Sequence, residues 1–464
     1  MNVRLHDHQA REVQNHGLAS HRALLWCPRS GKTIAALASA FKQAESGAIR
    51  RVLVTTPPGV VDHWVEEARR LGASAWRWDS NRRDAPMMSE LHDVLGEPWL
   101  TVFVIGSQVW SLGRAQPALA AIARAPGGAM LIADESHDYA SPSSIRGRRA
   151  RLWARKFAAS TRILTGTPLH NRLTDAWGQF EILSPSALGY RTFGQFCQRY
   201  AEYEQRHGPH GAFPKLVGYR RVDELWSRIR AWSSVVTADD IADMPSTRRR
   251  LVRTGLTEQT QAAYRDLRIG IDADNAAVRL QKMQQLVSAD PLRIAATVAR
   301  VKRADSMAVV WVRHNADVDR LSRAMRDVGL RAHRYTGSSS SSYRVKVHHQ
   351  FRNGGAGGVL IAQPQACGVG IDFSSVRSMV WHAPAVDART SAQATERCTR
   401  QGGGTVSVDH MASAGIDLVN LERVLRNAAI ADATTVEDMH AVNEYGEVDL
   451  RKMRVLPAAL RAAL

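Results

Sequence analysis

Cysteine is scarce and scattered. Cys27, Cys197, Cys367 and Cys398 are the four present in 464 residues, and no two form a CxxC pair. That spacing argues against a disulfide framework and against a cysteine-ligated zinc site. Long apolar runs are missing too: no stretch approaches the ~20 residues that cross a bilayer. The opening MNVRLHDHQAREV has no apolar core of a secretion signal, so the expected location is the cytoplasm, or a host's cytoplasm if a virus encodes the chain. Acidic residues are in deficit, 44 Asp and Glu against 62 Lys and Arg, for a formal charge of +18. A balance that basic points to a polyanionic partner, nucleic acid first.

What is present reads as a soluble globular protein, with 44% hydrophobic and 23% charged residues, long enough for two or three domains. Short apolar runs alternate with helical patterns, the mark of a parallel α/β fold. The first series of candidate strands is ALLW (23–26), RVLVTT (51–56), LTVFVIG (100–106), AMLIAD (129–134) and TRILTG (161–166). A second series is MAVVWV (307–312), RAHRYTG (331–337), GVLIAQ (358–363), SMVWHA (378–383) and TVSVDH (405–410). The stretch 186–300 between them shows no strand series and reads as helical. The expected architecture is two α/β lobes, 1–185 and 301–430, with a helical insertion over 186–300 and a helical tail over 431–464. The serine run GSSSSSYR (337–344) follows a strand and precedes helical periodicity. It reads as a loop and helix cap inside the second lobe, not as a linker.

LLWCPRSGKTIAAL (24–37) carries the chemistry of the first lobe. Gly31-Lys32-Thr33 is the phosphate-gripping end of a P-loop, but Trp26 and Arg29 stand where glycines are common. The tripeptide alone is weak. Its setting, a short buried strand before it and a good helix former after it, puts helix N-terminal amides against a phosphate. In that reading Arg29, Ser30, Gly31, Lys32 and Thr33 line the phosphates of ATP, Lys32 reaches the β- and γ-phosphates, and the Thr33 hydroxyl ligates Mg²⁺. GGAMLIADESH (127–137) supplies the second requirement, an apolar strand ending in carboxylates. Asp134 would hold Mg²⁺ through water and Glu135 would polarise the attacking water.

At these residues the chain resembles a known family. Asp134-Glu135-Ser136-His137 looks like the DEAH-type box of superfamily 2 helicases, and LTGTPLHN (164–171) resembles their motif III in its Swi/Snf-type branch. DAWGQFEILSP (175–185) fits the tryptophan and Leu-x-Pro that follow in that branch. TTPPGVVDHWVEEARRL (55–71) is similar to motif Ia, with Pro57 and Trp64 in place. LHDHQ (5–9) resembles the Q-motif, and GSQVW (106–110) sits where motif Ib belongs. In the second series, ACGVGIDF (366–373) is similar to motif V, and SAQATERCTRQG (391–402) to motif VI.

The resemblance implies two tandem RecA-like lobes, ATP and Mg²⁺ as cofactors, and a compact bacterial or phage-like motor. Gln9 would read the adenine edge. Gly370 and Asp372 would meet the nucleotide, Asp372 coupling it to nucleic acid. His137, Thr165 and Thr167 would couple the lobes. Pro57, Ser107, Thr336 and Gly337 would contact nucleic acid. Gln393, Arg397 and Arg400 fall at i, i+4 and i+7 on one expected helix face, where two arginines three apart can address a triphosphate.

Two departures stand out: Glu396 replaces the usual glycine before Arg397, placed to pair with it, and Pro28-Arg29 stiffens the P-loop. The leading expectation is a monomeric ATP-driven translocase on double-stranded DNA, in replication, recombination or repair. The alternative is a catalytically weak nucleic-acid clamp that uses ATP as a conformational ligand. A P-loop kinase or small GTPase would leave the second-lobe arginines unexplained.

Overall fold

The computed structural model describes residues 4–432 except 167–171, 209–210, 238–239, 242–246, 270–275, 305–306, 354–357, 368–372, 374 and 400–402. Two compact units divide between Ile241 and Ala242.

The first unit is built on β1 (His21–Trp26), β2 (Arg51–Thr56), β3 (Ser74–Arg77), β4 (Thr101–Gly106), β5 (Ala129–Asp134) and β6 (Ala158–Leu164). A hairpin follows, β7 (Ala201–Gly208) and β8 (Gly211–Tyr219), and then β9 (Ser233–Val236). Seven of these strands form one sheet in the order β3-β4-β2-β5-β6-β1-β9, with every pair parallel. A parallel sheet covered by helices is buried on both faces, so its strands are unbroken apolar runs. Val52, Leu53 and Val54 have no exposed surface, nor do Met130, Leu131 and Ile132.

A cation is buried deep in this core. Arg162 on β6 is 1% exposed, and its guanidinium donates to the carbonyls of Gly17, Ala19 and Ser20. It thereby fastens the turn after the first helix (Asp7–His16) to the sheet. Burial lowers its pKa to about 10, so it remains charged at neutral pH.

The second unit contains β10 (Thr247–Arg253), β11 (Ala308–Trp311), β12 (Ala332–Tyr335), β13 (Val359–Ala362), β14 (Ser378–Trp381) and β15 (Val406–Ala412). They form a parallel sheet in the order β10-β15-β14-β11-β13-β12. Both units are thus the parallel α/β lobes expected. The serine run is an intralobe turn: Ser340 caps the helix Ser341–Asn353, its hydroxyl accepting from the Tyr343 amide at 3.3 Å.

The helical reading of 186–300 needs correction. That stretch holds four strands: the β7–β8 hairpin, β9 and β10. β9 joins the first sheet beside β1 and β10 joins the second beside β15. Much of the expected insertion therefore belongs to the two lobes. SSVV is four residues long, and β10 has three consecutive arginines after Thr247 and holds only Leu251 and Val252 as apolar residues, so neither shows the apolar run that marks the central strands. The expected tail lies almost wholly outside the described residues.

Two buried histidines make the second unit sensitive to acid. His382 has no exposed surface; it lies between the Thr297 hydroxyl at 2.8 Å and the Ser288 carbonyl at 2.9 Å. His410 on β15 is 3% exposed. Burial lowers both pKa values to about 3, and the neighbouring cations Arg293 and Arg249 add to the effect. The folded state therefore favours the neutral rings. Their contribution is complete above the ordinary value of ~6.5 and is lost as pH falls from there toward 3. Each ring costs about 1.6 kcal/mol between pH 6.5 and 5, about 3 kcal/mol for the pair. Urea unfolding at pH 7 and pH 5, followed by amide exchange on β14 and β15, checks this. His410→Phe should remove about half of the pH dependence; an unchanged slope would refute the assignment.

Candidate nucleotide site

In open parallel sheets, ligands bind outside the carboxyl ends of the strands. β1 and β5 lie two places apart with β6 between them, so the segments that follow them meet at one edge. After β1 the chain turns through Cys27–Ser30 and starts the helix Lys32–Glu45. Two residues of the loop are left-handed, Arg29 (φ 59°) and Gly31 (φ 76°). Gly31 is required twice over: its φ suits glycine, and a Cβ there would lie 2.0 Å from Gln9 Nε2. Arg29 adopts the conformation of the missing glycine without being one, at roughly 1–2 kcal/mol.

Lys32 is the first residue of the helix, and its ammonium donates to the Trp26 carbonyl at 2.8 Å and the Cys27 carbonyl at 3.2 Å. It therefore lies over the loop, beside helix N–H groups that have no intrahelical acceptor. The Ser30 hydroxyl is buried and has no hydrogen-bond partner among the described residues, while Thr33 is half-buried. The loop is braced from the N-terminal helix. Gln9 Nε2 donates to the Ser30 and Gly31 carbonyls at 3.1 and 3.4 Å, its Oε1 accepts from the His6 amide, and the His8 ring meets the Ser30 carbonyl at 2.7 Å. Both ends of the Gln9 amide are engaged and the residue is 3% exposed. It shapes the loop here and does not present its amide to an adenine edge.

At the end of β5, Asp134 Oδ2 accepts from the Thr56 hydroxyl at 2.8 Å and the Trp64 indole N–H at 2.9 Å, and Oδ1 accepts from the Glu135 amide at 3.0 Å. Burial and the Glu135 charge raise the Asp134 pKa to about 6, against the two side-chain donors and Lys32, which hold it down. Glu135 is itself left-handed (φ 47°), which turns the chain sharply into Ser136–Tyr139. Its carboxylate lies 3.3 Å from His137 Nδ1, which also meets the Thr165 hydroxyl at 3.2 Å. The Thr165 amide in turn donates to the Leu24 carbonyl of β1. A short polar chain thus runs from the carboxylate pair back toward the P-loop strand.

Two carboxylates held together at low solvation, one with a raised pKa, are a donor set that a divalent cation would neutralise. The first N–H groups of the helix Lys32–Glu45 suit a phosphate. The residues fit a nucleotide and Mg²⁺, with Thr33 and Asp134 the candidate ligands.

Thr56 and Trp64 carry a part that the motif reading did not assign. The signal was in the sequence: Thr56 ends β2, which pairs with β5, and Trp64 lies eight residues further on. Two nucleic-acid candidates fare differently from expectation. Ser107 is 3% exposed and donates to Asp138 at 3.4 Å, and Pro57 is buried. Neither offers a free surface, because each closes the core at a strand end. Thr336 is half-buried and hydrogen-bonded to Ser338, while Gly337 is exposed.

In the second unit two of the three residues of the expected arginine face are described. The helix Ala388–Glu396 carries a half-buried Gln393, and Arg397 is its C-cap residue. The Arg397 carbonyl accepts from the Phe373 amide at 2.7 Å, and its guanidinium is turned to the Pro364 carbonyl at 3.5 Å. At 6% exposed, Arg397 is part of its lobe's interior. Thr167, Gly370, Asp372 and Arg400 lie outside the described residues.

A strand, a loop turned by left-handed residues, a lysine opening the next helix and a carboxylate pair two strands away define a P-loop nucleotide hydrolase. The family model for the SNF2-related domain matches residues 30–307, and that for the helicase conserved C-terminal domain matches 292–402. The chain belongs to the SNF2-related family of helicase-type ATPases. Membership brings ATP hydrolase activity in general. Among solved structures the chain is similar to the Sulfolobus solfataricus SWI2/SNF2 ATPase core in complex with dsDNA, at 16% identity over 94% of each chain with a TM-score of 0.43. The curated proteins contain no match.

Arg29 provides a test of the altered loop. Arg29→Gly removes the left-handed non-glycine conformation, at about 1 kcal/mol in favour of folding, and also removes a cation from the loop. The expected outcome is a several-fold weaker ATP affinity, about 1 kcal/mol, with hydrolysis retained. Titration with a fluorescent ATP analogue measures it, and unchanged affinity would refute a phosphate role for this side chain.

Proposed function

We propose that the protein is an ATP-driven translocase that moves along double-stranded DNA as a monomer, in replication, recombination or repair. The observation that carries this reading is the meeting of Lys32, on the P-loop helix, with the Asp134–Glu135 pair at one sheet edge. Support for the track comes from the formal charge of +18, since phosphates can be gripped without reading sequence. The SNF2-related family supports duplex DNA over single strands, and translocation does not require strand separation.

In this reading Lys32 and the first amides of its helix hold the terminal phosphates, and Ser30 offers its unpartnered hydroxyl to them. Thr33 and, through water, Asp134 would hold Mg²⁺, which when bound would neutralise phosphate charge. Thr56 and Trp64 fix Oδ2 of Asp134, leaving Oδ1 toward the Glu135 turn. Glu135 accepts a proton from the attacking water, oriented by its contact with His137. Thr165 shares that histidine and is the candidate to relay the state of the site along β6. Gln393, Arg397 and Arg400 are the proposed second-lobe contribution. For Arg397 this requires its guanidinium to leave the Pro364 carbonyl.

The deciding experiment measures phosphate release with duplex DNA, single-stranded DNA and RNA as competing stimulators. The expected result is a rise of tenfold or more, largest with duplex DNA and diminished by salt, as for backbone contacts. A largest response to RNA would overturn the substrate. Binding without any stimulated turnover would favour the clamp, for which the strained Arg29 and Glu135 are the supporting observations.

A further inference from the structure

The helix Ile145–Phe157, IRGRRARLWARKF, holds six cations and no acidic residue. Its inner face is accounted for. Gly147, Ala150, Trp153 and Ala154 are buried in the first lobe. Two of its arginines tie it down: Arg149 donates to the Trp110 carbonyl at 2.7 Å, and Arg151 donates to the Pro142 carbonyl at 2.7 Å.

The outer face is different. Ile145 is 52% and Leu152 51% exposed, and Arg148, Arg155 and Lys156 are exposed beside them. Among the described residues no hydrogen bond or salt bridge engages the side chains of these three cations. Glu181 is near enough to feel the charge of Arg155. The spacing is regular. Ile145 and Leu152 are seven residues apart, Arg148 and Arg155 are seven apart, and the two series interleave at three and four. Ile145, Arg148, Leu152 and Arg155 therefore lie along one face of the helix, aliphatic and cationic side chains alternating, at the spacing by which an amphipathic helix is read.

We propose that this face docks an acidic amphipathic helix of a partner protein. The two aliphatic side chains would meet an apolar ridge, and Arg148, Arg155 and Lys156 would meet carboxylates along its flanks. A phosphate backbone is the weaker match. It would use the cations but leave half-exposed isoleucine and leucine in the middle of the contact, where nucleic acid gains nothing from them. None of these residues belongs to the nucleotide site.

The test uses the full chain and a fluorescein-labelled synthetic helix of about 15 residues, with leucines at seven-residue spacing and flanking glutamates. A scrambled peptide of the same composition and a duplex DNA serve as comparisons. Two variants are made, Leu152→Ser and the triple Arg148→Glu, Arg155→Glu, Lys156→Glu. Both are surface changes, and unstimulated ATP turnover reports that the lobe is folded. The expected result is saturable binding of the patterned peptide, weakened about tenfold or more by each variant and by scrambling, with DNA affinity within about twofold of wild type. No saturable binding up to about 1 mM, or equal binding of the scrambled peptide, overturns the proposal. So does peptide binding that neither variant weakens. A charge variant that loses DNA affinity, with Leu152→Ser unaffected in both assays, assigns the face to nucleic acid instead.

Discussion

A Lys32→Ala chain should lose DNA-stimulated ATP turnover by about 10²–10³-fold, the usual effect of removing one donor aimed at developing charge. Three features make Lys32 the residue with the most to lose. It opens the helix Lys32–Glu45, so its charge adds to the positive end of the helix dipole. Its ammonium is held over the loop by the Trp26 and Cys27 carbonyls, an arrangement that a triphosphate can replace with stronger acceptors. It also acts on Asp134, where it opposes the rise in pKa, so its loss makes the carboxylate pair harder to ionise as well. Lys32→Arg should restore little, because a planar guanidinium does not fit where a compact ammonium meets carbonyls. Folding should be little affected, since the residue is half-buried and the two carbonyls it holds lie at the loop. The measurement is phosphate release at saturating ATP and duplex DNA. A variant that keeps more than about a tenth of wild-type turnover would remove this loop from the chemistry, whatever the sequence says.

The parts of the fold that were legible from sequence are those that burial writes directly. RVLVTT and AMLIAD coincide with β2 and β5, because a strand covered on both faces has no option but an apolar run. The hairpin of β7 and β8 was not legible. Its residues AEYEQRHG and GAFPKLVGY are largely exposed on both faces, so no alternation marks them, and the pairing rests on backbone hydrogen bonds that any sequence can make. The site divides the same way. Gly31, Lys32, Asp134 and Glu135 carry chemistry that restricts residue type, and a motif reveals them. Gln9 is the opposite case: its position was visible, but its amide bonds to Ser30 and Gly31 come from how the first helix packs. Arg397 was placed on a helix face by counting, and it does cap that helix, but counting could not show that its guanidinium turns to the Pro364 carbonyl inside the lobe.

The largest stability effect should come from Arg293→Ala, far from the nucleotide. Arg293 lies in the helix Pro291–Lys302 and has no exposed surface. Its Nε donates to the His382 carbonyl at 2.7 Å, Nη1 to Asp417 Oδ2 at 2.7 Å and Nη2 to the Met411 carbonyl at 2.9 Å. One guanidinium thus joins the residue after β14, the end of β15 and the first turn of the helix Gly415–Asp432. Asp417 Oδ2 also accepts from the Ser413 and Ala414 amides, so it stays buried when the arginine is gone. An unpaired buried carboxylate costs about 3–5 kcal/mol, a large share of the ~5–15 kcal/mol that stabilises a domain. Removing both charges is the informative control. Arg293→Met with Asp417→Leu should recover part of the loss, because the penalty lies in leaving one ion alone more than in losing the pair. The readout is amide exchange in β14 and β15, with β1, β2 and β5 as internal references, since two lobes need not unfold together. Protection in β14 and β15 should fall by more than about a hundredfold in the single variant, with the first sheet unchanged. If the double variant were no more protected than the single one, the buried charge would not be the cause, and the three hydrogen bonds themselves would hold the lobe together.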